Sequence, residues 1–210
     1  MELRAAAAVA AALLALAVAG AVFALTRDHD VAQDASTADV YRGSEPPAGL
    51  WIPAFRLTGY RGQGVRSSDL RGKVVVVTFL DTACTESCPI IAGVIGSAFP
   101  RLSADERSRV QAVALSVDPK IDTRSRVRRF LWRRGALGKL DFLTGPLDGL
   151  RRAWRAFHIV PAVETGNADV HSADVRVFDR RGVWVSTLHP GVDLTPANLV
   201  HDLRTALERS

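Results

Sequence analysis

Cysteine is scarce in this chain: its 210 residues include only Cys84 and Cys88. One pair cannot make the disulfide framework of a small secreted scaffold. With no cysteine ahead of residue 84, the amino-terminal region offers no thiol for lipid attachment. Also missing are a phosphate-cradling glycine loop, a pair of acid-base carboxylates and a Ser-His-Asp order. Hydrolysis and phosphoryl transfer therefore find no machinery, and a conventional enzyme is not expected. No internal repeat is visible either.

What is present begins with an apolar run. "AAAAVAAALLALAVAGAVFALT", residues 5–26, contains no charge. As a helix it reaches roughly 32 Å, enough for a hydrocarbon core of about 30 Å. Arg4 and the terminal amine precede it, and Arg27, Asp28, His29 and Asp30 follow with little net charge. That asymmetry predicts the N-terminus inside and the rest of the chain exported. The rival reading is a cleaved signal peptide, since Val22-Phe23-Ala24 resembles a small-residue cleavage site. The run is long for a signal core of about 7–15 residues, which favours a retained anchor. Either way the remaining chain lies outside the cytoplasm, in the expected arrangement of a single-pass cell-membrane protein. Thiols oxidise there unless they are maintained. The expected organisation is an anchor over residues 1–26, a polar tether over 27–47 and one domain over 48–210.

The net charge is +5, with basic residues concentrated between Lys120 and Arg155. A solvated helical face explains that bias simply. Docking to an acidic partner or to anionic lipid is the sharper reading. Nucleic acid is not expected as a partner, because the compartment is wrong and no recognition motif accompanies the charge.

The domain alternates strand and helix signals. "AFRLTGY" is a short alternating strand, and "GKVVVVTFL" a β-branched run suited to a strand buried on both faces. "CPIIAGVIGSAF" follows with helical spacing that sets Ile90, Ile91, Val94 and Ile95 on one side, and Pro89 suits a first turn. "VQAVALSV" is a second buried strand. Asp122 is the expected N-cap of a helix that stops at Gly135, and "PLDGLRRAWRAFHI" is another amphipathic helix. "DVRVFDRRGVWVSTL" reads as a hairpin, and Thr195-Pro196 starts a last helix that runs to about Arg209. This order predicts an α/β, thioredoxin-like fold, a mixed sheet flanked by helices.

Cys84 and Cys88 stand directly after the buried central strand, in "TACTESCPI". Positions i and i+4 of a helix lie on one face with Cβ atoms about 5–6 Å apart, so the two sulfurs can converge on one ion. A structural disulfide between them would close a very small loop and contribute little. Exposed amides at a helix start favour the thiolate, the form that binds metal or attacks disulfides. The pair is therefore read as functional, with metal binding and redox exchange both open.

Four stretches in order, "VVVVTFLDTACTESCPI", "ALSVDPKIDT", "FLTGPLDGLRRAW" and "DVHSADVRVFDRRGVWV", resemble the Sco/SenC family of membrane-anchored thioredoxin-like proteins. The resemblance runs from about Trp51 to Glu208. It implies a copper chaperone that helps assemble the binuclear copper site in subunit II of cytochrome c oxidase. The implied copper ligands are Cys84, Cys88 and His171, with Asp118 in a strand-end turn and not a ligand. Implied partners are that subunit, other copper chaperones and a thioredoxin-like reductant. Two positions depart from the family pattern: Thr85 stands where proline follows the first cysteine, and Val170 where aspartate precedes the histidine, with Asp169 one place earlier.

Soft thiolates with one imidazole suit Cu(I), and Cu(II) fits the same set with an added oxygen donor. A structural zinc site takes four protein ligands, and only three are evident. His29, His158 and His201 read as packing or surface residues, while His189 in "LHPG" is a weaker candidate for an auxiliary ligand. The alternative function is a membrane-anchored thiol-disulfide oxidoreductase that uses Cys84 and Cys88 as its redox pair. A copper or redox sensor comes third. His171 separates the first two, because disulfide exchange needs no imidazole opposite the thiols.

Overall fold

The computed structural model describes residues 40–209. The apolar run 5–26, His29 and most of the predicted tether lie outside the described residues. Among the described residues no helix is long and apolar enough to cross a membrane.

Seven strands form one mixed sheet: β1 (Arg56–Gly59), β2 (Gly64–Arg66), β3 (Val74–Leu80), β4 (Val110–Ser116), β5 (Asp141–Thr144), β6 (Val175–Phe178) and β7 (Trp184–Leu188). Their spatial order is β2-β1-β5-β4-β3-β6-β7. The centre, β5-β4-β3, is parallel, and antiparallel pairs flank it on both sides. Every residue of β3 is buried, which is why its sequence is a continuous apolar run and not an alternation. Val74, Val76 and Leu80 face one core, while Val75, Val77 and Phe79 face the other.

The helices are α1 (Ser87–Ala98), α2 (Ala104–Ser108), α3 (Arg124–Arg133), α4 (Leu147–Phe157), α5 (Ala162–Thr165) and α6 (Pro196–Arg209). Apolar residues of α1, α3 and α6 pack into the first core and those of α4 into the second. Each fully buried leucine, valine or phenylalanine contributes about 1.5–3 kcal/mol, so these two cores dominate stability. The sheet is thus covered by helices on both faces, as the sequence order predicts.

Three details differ from the sequence reading. β5 is an extra central strand, parallel to β4. Thr123, not Asp122, caps α3, its hydroxyl accepting from the Arg126 amide. The Asp122 carboxyl is buried instead, taking the Thr82 amide at 2.8 Å and the Ser116 hydroxyl at 2.6 Å. Within α1, Ile91 and Ile95 are buried but Ile90 is 48% exposed.

Two close approaches tie neighbouring parts together. A Cβ on Gly96 of α1 would lie 2.6 Å from the Arg134 carbonyl, so the end of α3 meets α1 at backbone distance. Lys139 Nζ reinforces that junction, donating to the Gly96 carbonyl at 2.9 Å and the Gly135 carbonyl at 2.7 Å. Along the other edge, Ser44 bridges to Thr187 of β7 and Trp51 to Val183 just ahead of that strand. Asp202 of α6 holds that segment, accepting from the amides of Arg42 at 2.6 Å and Gly43 at 3.0 Å.

Candidate metal centre

The site grows from the carboxyl end of β3, where α/β sheets place their chemistry. Beyond Leu80 the chain turns, with the Cys84 amide donating to the Asp81 carbonyl at 3.3 Å. Cys84 therefore sits in the turn ahead of α1 and not within a helix, while Cys88 occupies the first helical turn. Cys84 still serves that helix. Its sulfur accepts the Cys88 amide at 3.3 Å, as a capping side chain does. The Cys88 sulfur lies deeper and accepts the Asp81 amide at 3.4 Å. Both cysteines are buried and free.

His171 arrives on a different strand. β6 runs antiparallel to β3 with Val175 opposite Thr78, so the residues just before Val175 lie beside the end of β3. The Thr78 hydroxyl fixes that meeting by donating to the Asp174 carbonyl at 2.8 Å. His171 stands three residues earlier, with its Nε2 at 3.2 Å from the Cys88 sulfur. Its Nδ1 is 2.7 Å from the Ser172 carbonyl. A carbonyl only accepts, so Nδ1 carries a proton; Nε2 faces the sulfurs, donating to a thiolate when the ring is protonated and offering its lone pair to a metal when the ring is neutral.

The loop bearing His171 is tied down on both sides. The Ser172 amide donates to the Val160 carbonyl, and the Val160 amide to the Ser172 hydroxyl, both at 3.0 Å. Asp169 reaches across to the cysteine turn, accepting from the Thr85 amide at 2.7 Å, the Thr85 hydroxyl at 3.1 Å and the Glu86 amide at 3.2 Å. Both departures from the family pattern meet at this clamp. A proline at position 85 could not donate that amide, and the aspartate that uses it is the one displaced to position 169. Val170 is exposed.

The charges follow from this geometry. The Cys84 thiol is lowered to about 4, first by a hydrogen bond from the Cys88 thiol, against burial, with His171 and the backbone amides adding to the effect. Cys88 is pushed up, by that same hydrogen bond and by burial. Burial works to lower the His171 pKa, but its interactions with Cys84 and the Ser172 carbonyl raise it overall. Cys88 is the sulfur in contact with the ring, at 3.2 Å, yet the negative charge is favoured on Cys84, chiefly because the Cys88 thiol donates to it, with the ring and the amides at the helix start adding to the effect. Burial raises Asp81, against the Ala83 amide. Asp122 is raised to about 7 by burial, opposed by its bonds from Ser116 and Thr82.

Sγ of Cys84, Sγ of Cys88 and a ring nitrogen of His171 all lie within 4.8 Å of one another, the one such cluster among the described residues. A trigonal ion bound at about 2.0–2.3 Å needs donors roughly 3.5–4 Å apart. Closing the present spacing takes less than about 1 Å of side-chain adjustment. Two soft sulfurs and one imidazole form a donor set for a soft ion.

The other described histidines stay apart from this cluster. The His189 amide bonds Asp193 at 2.5 Å, and its ring also faces that carboxylate, at 3.9 Å. His158 closes α4 in the left-handed conformation, and the His201 ring lies beside Asp202. Asp118 makes a turn at the end of β4, accepting the Lys120 amide at 3.0 Å.

The SCO1/SenC family model matches residues 44–208. The chain belongs to the SCO1/SenC family. Among similar proteins is one from Stutzerimonas stutzeri named "Putative copper-binding protein", 29% identical over 157 residues that cover 73% of this chain and 72% of that one. Among solved structures, apo Sco1 of Thermus thermophilus matches with a TM-score of 0.66 at 25% identity, covering 80% of this chain and 97% of that one. Copper-bound ScoI of Bradyrhizobium japonicum matches with a TM-score of 0.63 at 25% identity, covering 75% of this chain and all of that one. The Sco chains and this one thus share the mixed sheet with flanking helices.

Sequence reasoning missed the Asp169 clamp and the buried Asp122. Only the shift of aspartate from position 170 to 169, together with Thr85, hinted at the first. Nothing local hinted at the second.

Proposed function

We propose that this chain is an exported copper chaperone, held at the membrane by residues 5–26, that binds Cu(I) through Cys84, Cys88 and His171. The observation that carries the reading is the convergence of these three donors at the carboxyl end of the sheet. Membership of the SCO1/SenC family and a copper-bound family structure support it. With two thiolates and a neutral imidazole, bound Cu(I) leaves a net charge of −1, which the amides at the start of α1 help to stabilise. Only the reduced pair offers two thiolates, so oxidation to a Cys84–Cys88 disulfide removes the site. Delivery to the binuclear copper site of cytochrome c oxidase subunit II is the acceptor role the family resemblance suggests.

A second reading is favoured by the unequal thiols. A stabilised Cys84 thiolate with a deeper, protonated Cys88 is the arrangement of an attacking and a resolving sulfur. The pair would then reduce a partner's disulfide, giving up two electrons and ending as the Cys84–Cys88 disulfide.

His171→Ala separates the readings. For a chaperone, this variant lowers Cu(I) affinity by well over tenfold in a competition titration with a Cu(I) chelator, while Cys84 and Cys88 still form their disulfide. Unchanged affinity would transfer the function to the oxidoreductase. Copper uptake by the oxidised protein equal to that of the reduced protein would place the ligands elsewhere.

A further inference from the structure

Helix α3 reads RSRVRRFLWR, with five arginines, no acidic residue, and only Val127, Phe130 and Leu131 buried. Arg126, Arg129 and Arg133, at i, i+3 and i+7, make one stripe, continued by Arg134 at the cap. This stripe walls a cleft of about 320 Å³ that Cys84, Thr82, Pro89 and Phe130 also line. The Thr82 hydroxyl is buried without a hydrogen-bond partner. No ion pair among the described residues involves these arginines. Like charges three and four residues apart oppose helix formation when nothing neutralises them.

A second hollow of about 360 Å³ adjoins the first through the shared Arg129 and is lined by Ser125, Arg128, Trp132 and Leu137. Trp132 is 69% exposed and Leu137 37% exposed. Tryptophan and arginine are the residues that most often anchor protein interfaces. Charge and exposed aromatic surface therefore form one continuous face beside Cys84.

We propose that the α3 face is the docking surface for an acidic polypeptide segment of the protein that exchanges copper with Cys84. Its carboxylates would lie along Arg126, Arg129 and Arg133, and an apolar side chain would cover Trp132. The concavity favours a polypeptide over a lipid surface, because a flat array of headgroups reaches Trp132 but does not enter a cleft that Cys84 lines. The proposal rests on Cys84 as the exchanging sulfur of the preceding section.

The test uses the reduced full chain in non-ionic detergent and two peptides that differ only in carrying glutamate or glutamine at the same positions. Each peptide bears one cysteine as a mixed disulfide with thionitrobenzoate. The Cys84 thiolate attacks the peptide sulfur and expels coloured thionitrobenzoate. Cys88 then displaces the peptide, which leaves with the Cys88 proton as a thiol. The two cysteines end as a disulfide, and their two electrons reside on the released sulfurs. At low ionic strength the glutamate peptide should react on the order of tenfold faster, and high salt should remove the difference. Arg129→Glu combined with Arg133→Glu should level the two rates while Cu(I) affinity stays that of the parent, and the milder Arg129→Gln with Arg133→Gln should fall between. Equal rates on the unmodified chain, or an advantage that survives charge reversal, would overturn the proposal. So would a chain that shows no peptide preference but reacts more slowly in phosphatidylglycerol than in phosphatidylcholine vesicles, an outcome that assigns the face to lipid. Failure of the unmodified chain to bind Cu(I) would defeat the chaperone reading but would leave the peptide rates standing, so the two ideas fail separately.

Discussion

Asp202 and Asp169 each hold a distant stretch of chain by two consecutive backbone amides, yet they do so in opposite surroundings. Asp202 is fully buried; besides the amides of Arg42 and Gly43 it takes the Ser186 hydroxyl at 2.6 Å. Asp169 lies near solvent and grips the turn that carries Cys84. Where water is excluded, an unmet donor carries its full desolvation penalty, so the first clamp governs stability. Where water can replace the carboxylate, little stability is at stake, and what remains is positioning. The Asp169 carboxyl is lowered, chiefly by the Thr85 amide, so at neutral pH it holds the turn as an anion.

The largest expected effect breaks the first clamp. Asp202→Ala leaves the buried Ser186 hydroxyl unmet and frees the amides of Arg42 and Gly43, and it should lower unfolding free energy by about 3 kcal/mol, read as a shift in denaturant midpoint. Cu(I) affinity of the folded variant should match the parent; a large loss would mean that the two regions are coupled. Asp169→Ala should do the reverse, lowering Cu(I) affinity by about tenfold with little change in midpoint. Thr85→Pro removes the amide that Asp169 uses, so a double-mutant cycle should be strongly non-additive. Additive losses would mean that the two residues act on copper independently.

Titration sharpens the electrostatic side of the comparison. The thiolate absorbance of the reduced chain should persist well below neutral pH and vanish through about 4. A folded pKa below the unfolded value adds stability that is complete above the ordinary thiol range and lost as pH falls through about 4. Asp122 runs the other way, its contribution fading as pH rises through about 7. The Cys84 component is therefore isolated as the difference between parent and Cys84→Ser. Absorbance lost already near neutral pH would show that the donors around Cys84 do not stabilise its thiolate. The smallest effect belongs to Val170→Asp, whose exposed side chain should alter Cu(I) affinity by no more than about twofold.

Much of this architecture is legible in the sequence wherever it rests on periodicity. β3 announces itself as an unbroken apolar run, the hairpin by its turn, and α6 by Thr195-Pro196. β5 escapes because its four residues, DFLT, show neither an alternation nor a β-branched run. The brief α2 had a cue in Ser103 and Glu106, a reciprocal cap that the structure forms. Asp122 looks like a cap by position but is drawn inward by the Thr82 amide, a partner forty residues away. Ile90 shows the limit of spacing alone, since the first turn of α1 leaves one of its apolar neighbours in water. Both aspartate clamps join residues more than eighty positions apart. Such pairings follow from topology and leave no local trace. The thiols could be read directly, whereas His171 came from family resemblance, and only the β3–β6 register explains why it reaches them.

The junction at Gly96 has a mechanical consequence. The chain just past α3 rests on α1 with no side chain between them, and Lys139 bonds one carbonyl on each side, so any side chain added at Gly96 must push the two segments apart.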